Sequence, residues 1–556
     1  MLIPATRTTF HTLLDARPLA EPSDAPAIIF VATDTEPVVV TRRALATAVT
    51  HHAAALHALG IQPGDLVLIA HTQNLAAVYA FWGALQLGAI PTLFPSLTEK
   101  LDAEVYRRNM AQLIDLSQVK VVLTSDDFAV TLREVTSCPV YGTSDLPLDV
   151  PSPSFTPPDP DSIAFLQHSS GTTGLQKGVA LTHTAVLNQL AAYSQAIALH
   201  ADDVVVSWLP LYHDMGLIAG FLLPLVQGLP LVLLSPFDWV QHPALLLQAI
   251  DRYRGTLCWL PNFAYNHCAR RIRRRDKEAV SLASMRLFIN CSEPVRHSSH
   301  QLFLDAFAAQ GVTPDRLGVS YAMAENTFAV SQTLPGQPAP LDWIDGQLLA
   351  EQNVAQPVEP TQPEAVPLVS CGRPISGTAV AIVDEQGNPL LPRRVGEIVV
   401  RSDCMLTGYY RREDLRPFQH GWYHTGDRGY LADGELYVIG RSKDLIINAG
   451  KNIYPQDIEA VVNEVPGVYP GRAVAFGVPD EREGTELIAV VAEVETADSE
   501  QQNQIRLVIR QRVVVETAVS VSFVTLVPRH WLRKTSSGKI ARAENRRKWL
   551  AERNAP

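Results

Sequence analysis

The sequence predicts an α/β fold with a large N-terminal domain of helix-covered sheets and a small α+β C-terminal domain. In the first part of the chain, short apolar runs alternate with helical patterns, which favours a parallel sheet with helices on its faces. After Gly440 the pattern changes to a strand, a polar turn leading into a helix, and another strand. We therefore expect a boundary near 440–445, with domains at residues 1–440 and 441–556.

The individual elements follow from the same patterns. Apolar residues recur at helical spacing before Gly60, where the first long helix is expected to end. The patterns then predict a strand at 65–70, a helix at 76–88, strands at 119–125, 163–166 and 179–182, and, in the C-terminal domain, strands at 486–494 and 521–527 with a helix between them.

An uncharged stretch from Met215 to Pro236 is about as long as a membrane-spanning helix. Pro224, Pro230 and several glycines divide it into a helix-length piece and a short strand at 229–234. Such breaks are costly in lipid without protein partners. The stretch is therefore interpreted as buried core, and no membrane span is expected.

A proline-rich stretch runs from about residue 335 to residue 367 and contains seven prolines. It is too long for an ordinary loop between two elements. We interpret it as an insertion or a packed functional segment of the large domain.

Composition excludes several classes of protein. The chain has 556 residues, of which 47% are hydrophobic and 19% are charged, so it buries a large core and is not disordered. A net charge of −11 disfavours a nucleic-acid-binding surface. The six cysteines form no CxxC pair, which indicates reduced thiols without a structural zinc. With no secretory pattern at the N-terminus, a cytoplasmic location is expected.

The strongest local signal is a loop rich in Gly, Ser and Thr at 169–178, SSGTTGLQKG, between two apolar runs. Backbone N–H groups and hydroxyls of such a loop can hold an anion, to which Lys177 adds positive charge. The spacing is not that of a Walker A motif. A flexible hairpin loop is the alternative. The candidate phosphate-binding residues are Ser169, Ser170, Gly171, Thr172, Thr173, Gly174 and Lys177.

This loop resembles the phosphate-loop signature of the adenylate-forming superfamily, which includes acyl-CoA synthetases, fatty acyl-AMP ligases and peptide-synthetase adenylation domains. Four further segments resemble the superfamily's motifs in the same order: YAMAE at 321–325, YHTGD at 423–427, GRSKD at 440–444 and KTSSGKI at 534–540. The resemblance covers nearly the whole chain. It implies the adenylate-forming fold with a mobile small domain, and ATP and Mg²⁺ as cofactors.

The resemblance also implies roles for single residues. Lys177 and the loop would hold the β- and γ-phosphates of ATP, and Glu325 with Thr172 would bind Mg²⁺, for which a carboxylate is a suitable hard ligand. Glu325 could instead be a surface carboxylate. The implied adenine-binding residues are Ser292, Glu293, Pro294, Tyr321, Ala322 and Met323.

Further roles fall in the last third of the chain. Asp427 would accept hydrogen bonds from the ribose hydroxyls, and Arg441 would add a second ribose contact; a turn aspartate is the alternative for Asp427. Lys539 would be the catalytic lysine that bridges the carboxylate and the α-phosphate, although most lysines in such loops are simply solvated. Lys443 would be the hinge about which the small domain rotates between making and using the adenylate.

The segment WLPLYHDMGL at 208–217 resembles fatty acyl-AMP ligases within this superfamily. It would place His213 beside the acyl carboxylate as a catalytic residue; a buried, hydrogen-bonded histidine is the alternative. The proline-rich stretch lies where this branch has an insertion that restrains the small domain and disfavours CoA. Ala322 replaces the usual Gly, and the segment NAGKN at 448–452 differs slightly from the usual segment of this branch. Ala324 replaces the Thr common in CoA ligases, although Ala is usual in this branch. These departures bear on the choice of acceptor more than on adenylation.

The sequence therefore predicts a ligase that activates a fatty acid with ATP to acyl-AMP and pyrophosphate. It would then pass the acyl group to the phosphopantetheine thiol of an acyl carrier protein or of a polyketide or peptide synthase module. A fatty acid–CoA ligase is the alternative enzyme. A catalytically silent nucleotide-binding protein is the other alternative, which the intact Lys177, Glu325, Asp427 and Lys539 argue against.

A basic run at 270–277 has two interpretations. It is either a solvated helix face or a dock for an acidic acyl carrier protein.

Overall fold

A computed structural model describes residues 10–97, 103–169, 177–448, 451–480, 485–517, 519–535 and 538–553. The chain divides into two compact units. The described residues within Met1–Pro340, Val369–Ala379 and Val400–Tyr423 form the first unit, and those within Leu341–Leu368, Val380–Val399 and His424–Pro556 form the second.

The first unit contains a nine-stranded and a seven-stranded sheet. The nine-stranded sheet has the order Arg373–Pro374, Ala329–Gln332, Leu317–Ala322, Leu287–Asn290, Leu257–Leu260, Val205–Ser207, Leu231–Leu234, Pro26–Val31 and Val38–Thr41. The seven-stranded sheet has the order Gly408–Tyr409, Lys177–Thr182, Ile163–Ser169, Ile90–Leu93, Leu66–Ala70, Val121–Thr124 and Val140–Tyr141. Their central strands are parallel, so the predicted α/β fold class is confirmed.

Helices connect these strands. The α-helices of the first unit are Arg17–Ala20, Arg42–Ala58, Leu75–Leu87, Ala103–Ser117, Asp126–Arg133, His183–Ala196, Leu223–Gln227, Pro236–Gln241, Ala244–Tyr253, Asn262–Arg271, Arg274–Glu278 and His297–Phe307. The first long helix ends at Ala58, two residues before the predicted Gly60. It packs closely against the helix Leu75–Leu87, and Gly83 permits this approach because it has no Cβ. A Cβ at this position would lie only 2.6 Å from the Cβ of His52.

The uncharged stretch is buried core, as predicted. It forms a π-helix at Met215–Leu222, the helix Leu223–Gln227 and the strand Leu231–Leu234, and the residues of all three are buried. Among the helices that the structure describes, none is both long and apolar enough to cross a bilayer.

The second unit contains most of a five-stranded sheet and a separate three-stranded sheet. The first has the order Thr378–Val383, Gly396–Ser402, Trp422–Ala432 and Phe418–Gln419, with Glu435–Arg441 also pairing with Trp422–Ala432. The second has the order Val468–Asp480, Thr485–Val494 and Phe523–Val527, accompanied by the hairpin Ile446–Asn448 and Lys451–Ile453 and the helices Pro455–Val462, Ser499–Thr517 and Arg542–Arg553.

The C-terminal part of this unit has its own core. The parallel strands Thr485–Val494 and Phe523–Val527 are joined through the helix Ser499–Thr517, as the strand–helix–strand pattern predicted. Two buried apolar clusters are drawn only from residues after 445. They support a small α+β domain, while the boundary at 440/441 stays a prediction.

The proline-rich stretch is a packed segment and not a loop. It contains the strand Leu341–Asp345, the helix Gly346–Gln352 and the beginning of the strand Ala365–Val369. Ile344 and Leu349 are buried in a cluster with aromatic residues of the five-stranded sheet. Its strands and helix therefore belong to the core of the second unit.

Candidate active site

The predicted phosphate loop joins two antiparallel strands of the seven-stranded sheet. Ser169 at the end of Ile163–Ser169 is paired with Lys177 at the start of Lys177–Thr182. The candidate residues Ser170, Gly171, Thr172, Thr173 and Gly174 lie outside the described residues, as does the side chain of Ser169. The hairpin thus places Lys177 where the loop returns to the sheet.

Tyr409 links two of the predicted site residues. The Lys177 Nζ lies 4.9 Å from the centroid of the Tyr409 ring, a cation–π distance. Tyr409 Oη donates a hydrogen bond to Glu325 Oε1 at 3.1 Å and lies 3.1 Å from Tyr423 Oη. Burial, followed by the nearby Glu325 carboxylate, raises the pKa of Tyr409, so its hydroxyl stays protonated and remains a donor.

The loop that carries Glu325 is strained and firmly held. Glu325 lies in the 3₁₀ turn Ala324–Asn326, which is followed by the fully buried Thr327 at φ +62°. A β-branched residue rarely adopts such a backbone conformation, which persists only where its surroundings impose it. Thr327 Oγ1 donates to the Cys404 carbonyl at 2.6 Å, and Gln167 Nε2 donates to the Thr327 carbonyl at 3.1 Å. These bonds fix the position of the Glu325 backbone.

The adenine-pocket candidates lie at one edge of the nine-stranded sheet. Leu287–Asn290 and Leu317–Ala322 are parallel neighbours, so residues 292–294 and 321–323 follow or end strands at the same carboxyl edge. Ligands of open α/β sheets bind outside this edge. Tyr321 is only 8% exposed, so its stacking on adenine stays a prediction.

Glu293 has a structural contact in addition to its predicted role. Its Oε2 accepts a hydrogen bond from the Phe263 N–H at 2.9 Å, in the first turn of the helix Asn262–Arg271. A carboxylate there satisfies a backbone donor that the helix leaves unpaired. The Glu293 side chain is therefore engaged within the protein, and the contact of residues 292–294 with adenine stays a prediction.

His213 lies in a tight turn before the π-helix. Its N–H donates to the Pro210 carbonyl at 3.2 Å, and the ring centroids of His213 and Tyr212 are 5.0 Å apart. A Cβ at Gly216 would lie 2.2 Å from the Pro210 oxygen, so only glycine allows this approach. Ser292 Oγ lies 3.8 Å from Met215 Sδ, which places the two segments side by side. The role of His213 stays a prediction.

In the second unit, Asp427 and Arg441 form one pair. They face each other on antiparallel strands, and Arg441 Nε lies 3.0 Å from Asp427 Oδ1. Asp427 is nearly buried, whereas the Arg441 side chain is half exposed. Glu397 supports the turn before them, since its Oε1 accepts from the Gly426 N–H at 2.9 Å and its Oε2 lies 2.9 Å from His424 Nδ1.

We expect Asp427→Ala to weaken ATP binding about 10- to 100-fold, because a hydrogen bond to a charged group contributes about 1.5–3 kcal/mol. The measurement is the ATP dissociation constant of the folded variant. Asp433→Asn is the matched control, since Asp433 lies in the exposed turn of the same hairpin and asparagine tolerates its φ of +54°. Equal affinities in the two variants would show that Asp427 is only a turn residue.

Lys443 and Lys539 are both exposed in the second unit. Lys443 lies in the 3₁₀ turn Ser442–Asp444. Lys539 lies in a short hairpin, where its carbonyl accepts the Thr535 N–H at 2.7 Å. The hinge and catalytic roles of these two lysines stay predictions.

Comparisons with known proteins agree with this architecture. The chain matches the AMP-binding enzyme family over residues 15–410. It is 34% identical over 519 residues to the medium-chain-fatty-acid–[acyl-carrier-protein] ligase JamA of Moorena producens (strain JHB), covering 88% of this chain and 86% of that protein. It is 32% identical over 517 residues to the long-chain-fatty-acid–AMP ligase FadD28 of Mycobacterium tuberculosis (strain ATCC 25618 / H37Rv), covering 86% and 87%.

Solved structures give the same result. One from a study of fatty acyl-adenylate ligases from E. coli and L. pneumophila has a TM-score of 0.89 and 30% identity, covering 98% of both chains. A fatty acyl-adenylate ligase from L. pneumophila in complex with acyl adenylate and pyrophosphate has a TM-score of 0.74 and 28% identity, covering 100% of this chain and 98% of that one.

The fold defines the class as adenylate-forming enzymes. The chain belongs to the AMP-binding enzyme family and, within it, to the fatty acyl-AMP ligase branch.

Sequence reasoning missed Tyr409 and Glu397. Each is a single residue within a strand, and neither stands in a pattern that indicates chemistry. Only the pairing of the strand Gly408–Tyr409 with Lys177–Thr182 shows that Tyr409 belongs beside Lys177.

The basic run at 270–277 is partly neutralised. Arg273 and Arg275 pair with Asp276, and Arg274 pairs with Glu278. These exposed pairs favour a solvated helix face over a dock for an acidic partner.

Proposed function

We propose that this enzyme activates a fatty acid with ATP to acyl-AMP and pyrophosphate, and then transfers the acyl group to the phosphopantetheine thiol of an acyl carrier protein. The observation that supports adenylation best is the contact of Lys177 and Glu325 with one tyrosine, Tyr409. The names of the relatives support the substrate and the acceptor. The enzyme would use ATP, and its six cysteines are free thiols, which are typical of reducing compartments. Both features support a cytoplasmic location.

The residues present fit a magnesium ion. Mg²⁺ is usually bound by one or two carboxylates together with substrate phosphates, and Glu325 is a carboxylate held in place by Tyr409. When bound, Mg²⁺ would neutralise phosphate charge during attack by the acyl carboxylate. Thr172, the other predicted ligand, lies outside the described residues.

The chain's own groups would divide the remaining work. Lys177 would hold the phosphates by charge, and Asp427 would orient the ribose. Lys539 would stabilise the charge that develops between the carboxylate and the α-phosphate, which is the kind of electrostatic contribution that accelerates the chemical step.

ATP–pyrophosphate exchange tests the adenylation. We expect exchange only when a fatty acid is present. An absence of exchange with fatty acids of short, medium and long chain would favour the catalytically silent nucleotide-binding protein.

The acceptor proposal is supported by contacts of the proline-rich segment. Lys451 Nζ lies 2.9 Å from Glu351 Oε1, and Asn353 Oδ1 accepts a hydrogen bond from Asn452 Nδ2 at 3.1 Å. Both partners lie after the predicted hinge Lys443. Residues 351–353 therefore connect the proline-rich segment to the part of the chain that would rotate about Lys443. Contacts of this kind disfavour the second orientation of the small domain, in which the thioester would form.

We expect the double variant Glu351→Ala/Asn353→Gly to raise acyl-CoA formation about two- to fivefold, a small gain because exposed ion pairs contribute little. Glycine at position 353 preserves the observed φ of +54°. Acyl-CoA and acyl-carrier thioester are measured after single-turnover acyl-AMP formation. Glu359→Ala is the matched control, since Glu359 is an exposed carboxylate of the same segment.

Deleting residues 337–364 would be a poor test. Ile344, Leu349 and Ala355 would be lost from a buried cluster, at a cost of several kcal/mol for each large side chain. Efficient acyl-CoA synthesis by the unmodified enzyme, without carrier protein, would contradict the acceptor proposal and favour the CoA ligase.

A further inference from the structure

The loop that carries Lys539 is closed at its base by main-chain and asparagine bonds. Lys534 and Ile540 form an antiparallel bridge, and the Ala541 N–H donates to the Arg533 carbonyl at 3.1 Å. The fully buried Asn545 accepts from the Arg533 N–H at 2.8 Å and donates to the carbonyls of Arg533 and Ala541. The base of the loop is therefore fixed to the helix Arg542–Arg553.

Arg542, the first residue of that helix, uses all three guanidinium nitrogens. Its Nη1 lies 2.6 Å from Asp444 Oδ2, and its Nη2 lies 2.9 Å and 3.0 Å from the two carboxylate oxygens of Glu459. Its Nε donates to the Ala475 carbonyl at 3.0 Å. The Arg542 side chain is only 18% exposed, and those of Asp444 and Glu459 are 25% and 14% exposed.

The Asp444 contact has a particular consequence. Asp444 directly follows Lys443, the predicted hinge, whereas Arg542 follows Lys539 by three positions. The guanidinium of Arg542 is planar and binds two carboxylates with fixed geometry, so it restricts the movement of Asp444 and Glu459 relative to each other. The largely buried setting protects the ion pair from screening by salt.

We propose that Arg542 is a positioning residue that joins the Lys539 loop to the first residue after the hinge. A rotation at Lys443 then carries Lys539 with it as one rigid piece. This inference rests on the proposed function, because it requires that Lys539 acts in adenylation. Arg542 would act through Lys539, since its guanidinium is engaged by Asp444, Glu459 and the Ala475 carbonyl.

The tests are Arg542→Gln, the nearly isosteric Asp444→Asn, and the double variant. Arg546→Gln is the matched control, because Arg546 lies one turn further along the same helix and its Nε donates to the Gly477 carbonyl at 2.9 Å on the same strand as Ala475. The kcat of acyl-AMP formation, the KM for ATP and the ATP dissociation constant are measured for each, together with a melting curve.

A misplaced catalytic group costs on the order of 10²-fold in rate, so we expect kcat to fall about 10- to 100-fold in both single variants. ATP affinity should stay within about threefold, since Lys539 acts in the transition state. If Arg542 and Asp444 act through one contact, the kcat of the double variant should be no lower than that of the more impaired single variant. A merely structural role would lower the melting temperature without this split between kcat and nucleotide affinity.

Two results would overturn the inference. In the first, Lys539→Ala abolishes adenylation but Asp444→Asn has the same kcat as the control Arg546→Gln. This result would contradict the role of the Arg542 contact and leave the proposed function intact. Near-normal adenylation by Lys539→Ala would contradict the proposed mechanism and this inference with it. Should Arg542→Gln fail to fold, Asp444→Asn removes the negative charge from the same ion pair with a side chain of nearly the same shape, and it decides between these outcomes.

Discussion

Lys539→Ala is expected to abolish acyl-AMP formation while ATP binding largely survives. Removing one group that stabilises charge in a transition state costs about 10²–10³-fold in rate, and Lys539 would contribute a full positive charge. The substitution should not disturb the fold, because the hydrogen bond that Lys539 makes to the described part of this loop uses its carbonyl oxygen, which alanine keeps. The Lys539 side chain is also exposed, so no cavity is left.

Pyrophosphate release and ATP affinity are measured separately for this variant. Arg547→Ala is the matched control, since Arg547 is an exposed cation on the helix that follows the loop. The control should retain full activity, which excludes a general effect of lost positive charge. Near-normal pyrophosphate release by Lys539→Ala would remove Lys539 from the mechanism.

Much of the fold could be predicted from sequence because apolar runs reveal strands directly. The runs at 65–70 and 119–125 became the strands Leu66–Ala70 and Val121–Thr124. The sequence indicated a helix-length piece at Met215–Leu222 but not its π form, since all of its residues are buried and no polar face shows its period. The strand–helix–strand content of the proline-rich segment was hidden by its prolines.

The candidate site was predictable in its chemistry but not in its contacts. Motif positions such as Lys177 and Glu325 stand in the sequence, whereas the tyrosine between them comes from a distant two-residue strand. The Arg542–Asp444 contact likewise joins segments far apart in the chain. Local patterns carry no information on such pairs, because the pairs depend on how strands and helices pack.

Glu325→Gln is expected to lower kcat/KM by about 10²-fold or more and to raise the Mg²⁺ concentration needed for half-maximal activity. Glutamine has the shape of glutamate and its oxygen can still accept the bond from Tyr409, so the strained loop should keep its structure. Only the negative charge is lost. Since Mg²⁺ prefers charged oxygen ligands, the metal would be bound less tightly.

Tyr409→Phe separates the charge of Glu325 from its position. Phenylalanine keeps the ring under Lys177 and removes only the hydroxyl that donates to Glu325, so we expect a smaller rise in the Mg²⁺ requirement. ATP binding is titrated with and without Mg²⁺ for both variants, which gives a readout independent of turnover. If Glu325→Gln bound ATP with an unchanged Mg²⁺ dependence, Glu325 would be a structural carboxylate. If Tyr409→Phe impaired the Mg²⁺ dependence more than Glu325→Gln, the hydroxyl of Tyr409 and not the carboxylate would be the group that the metal site requires.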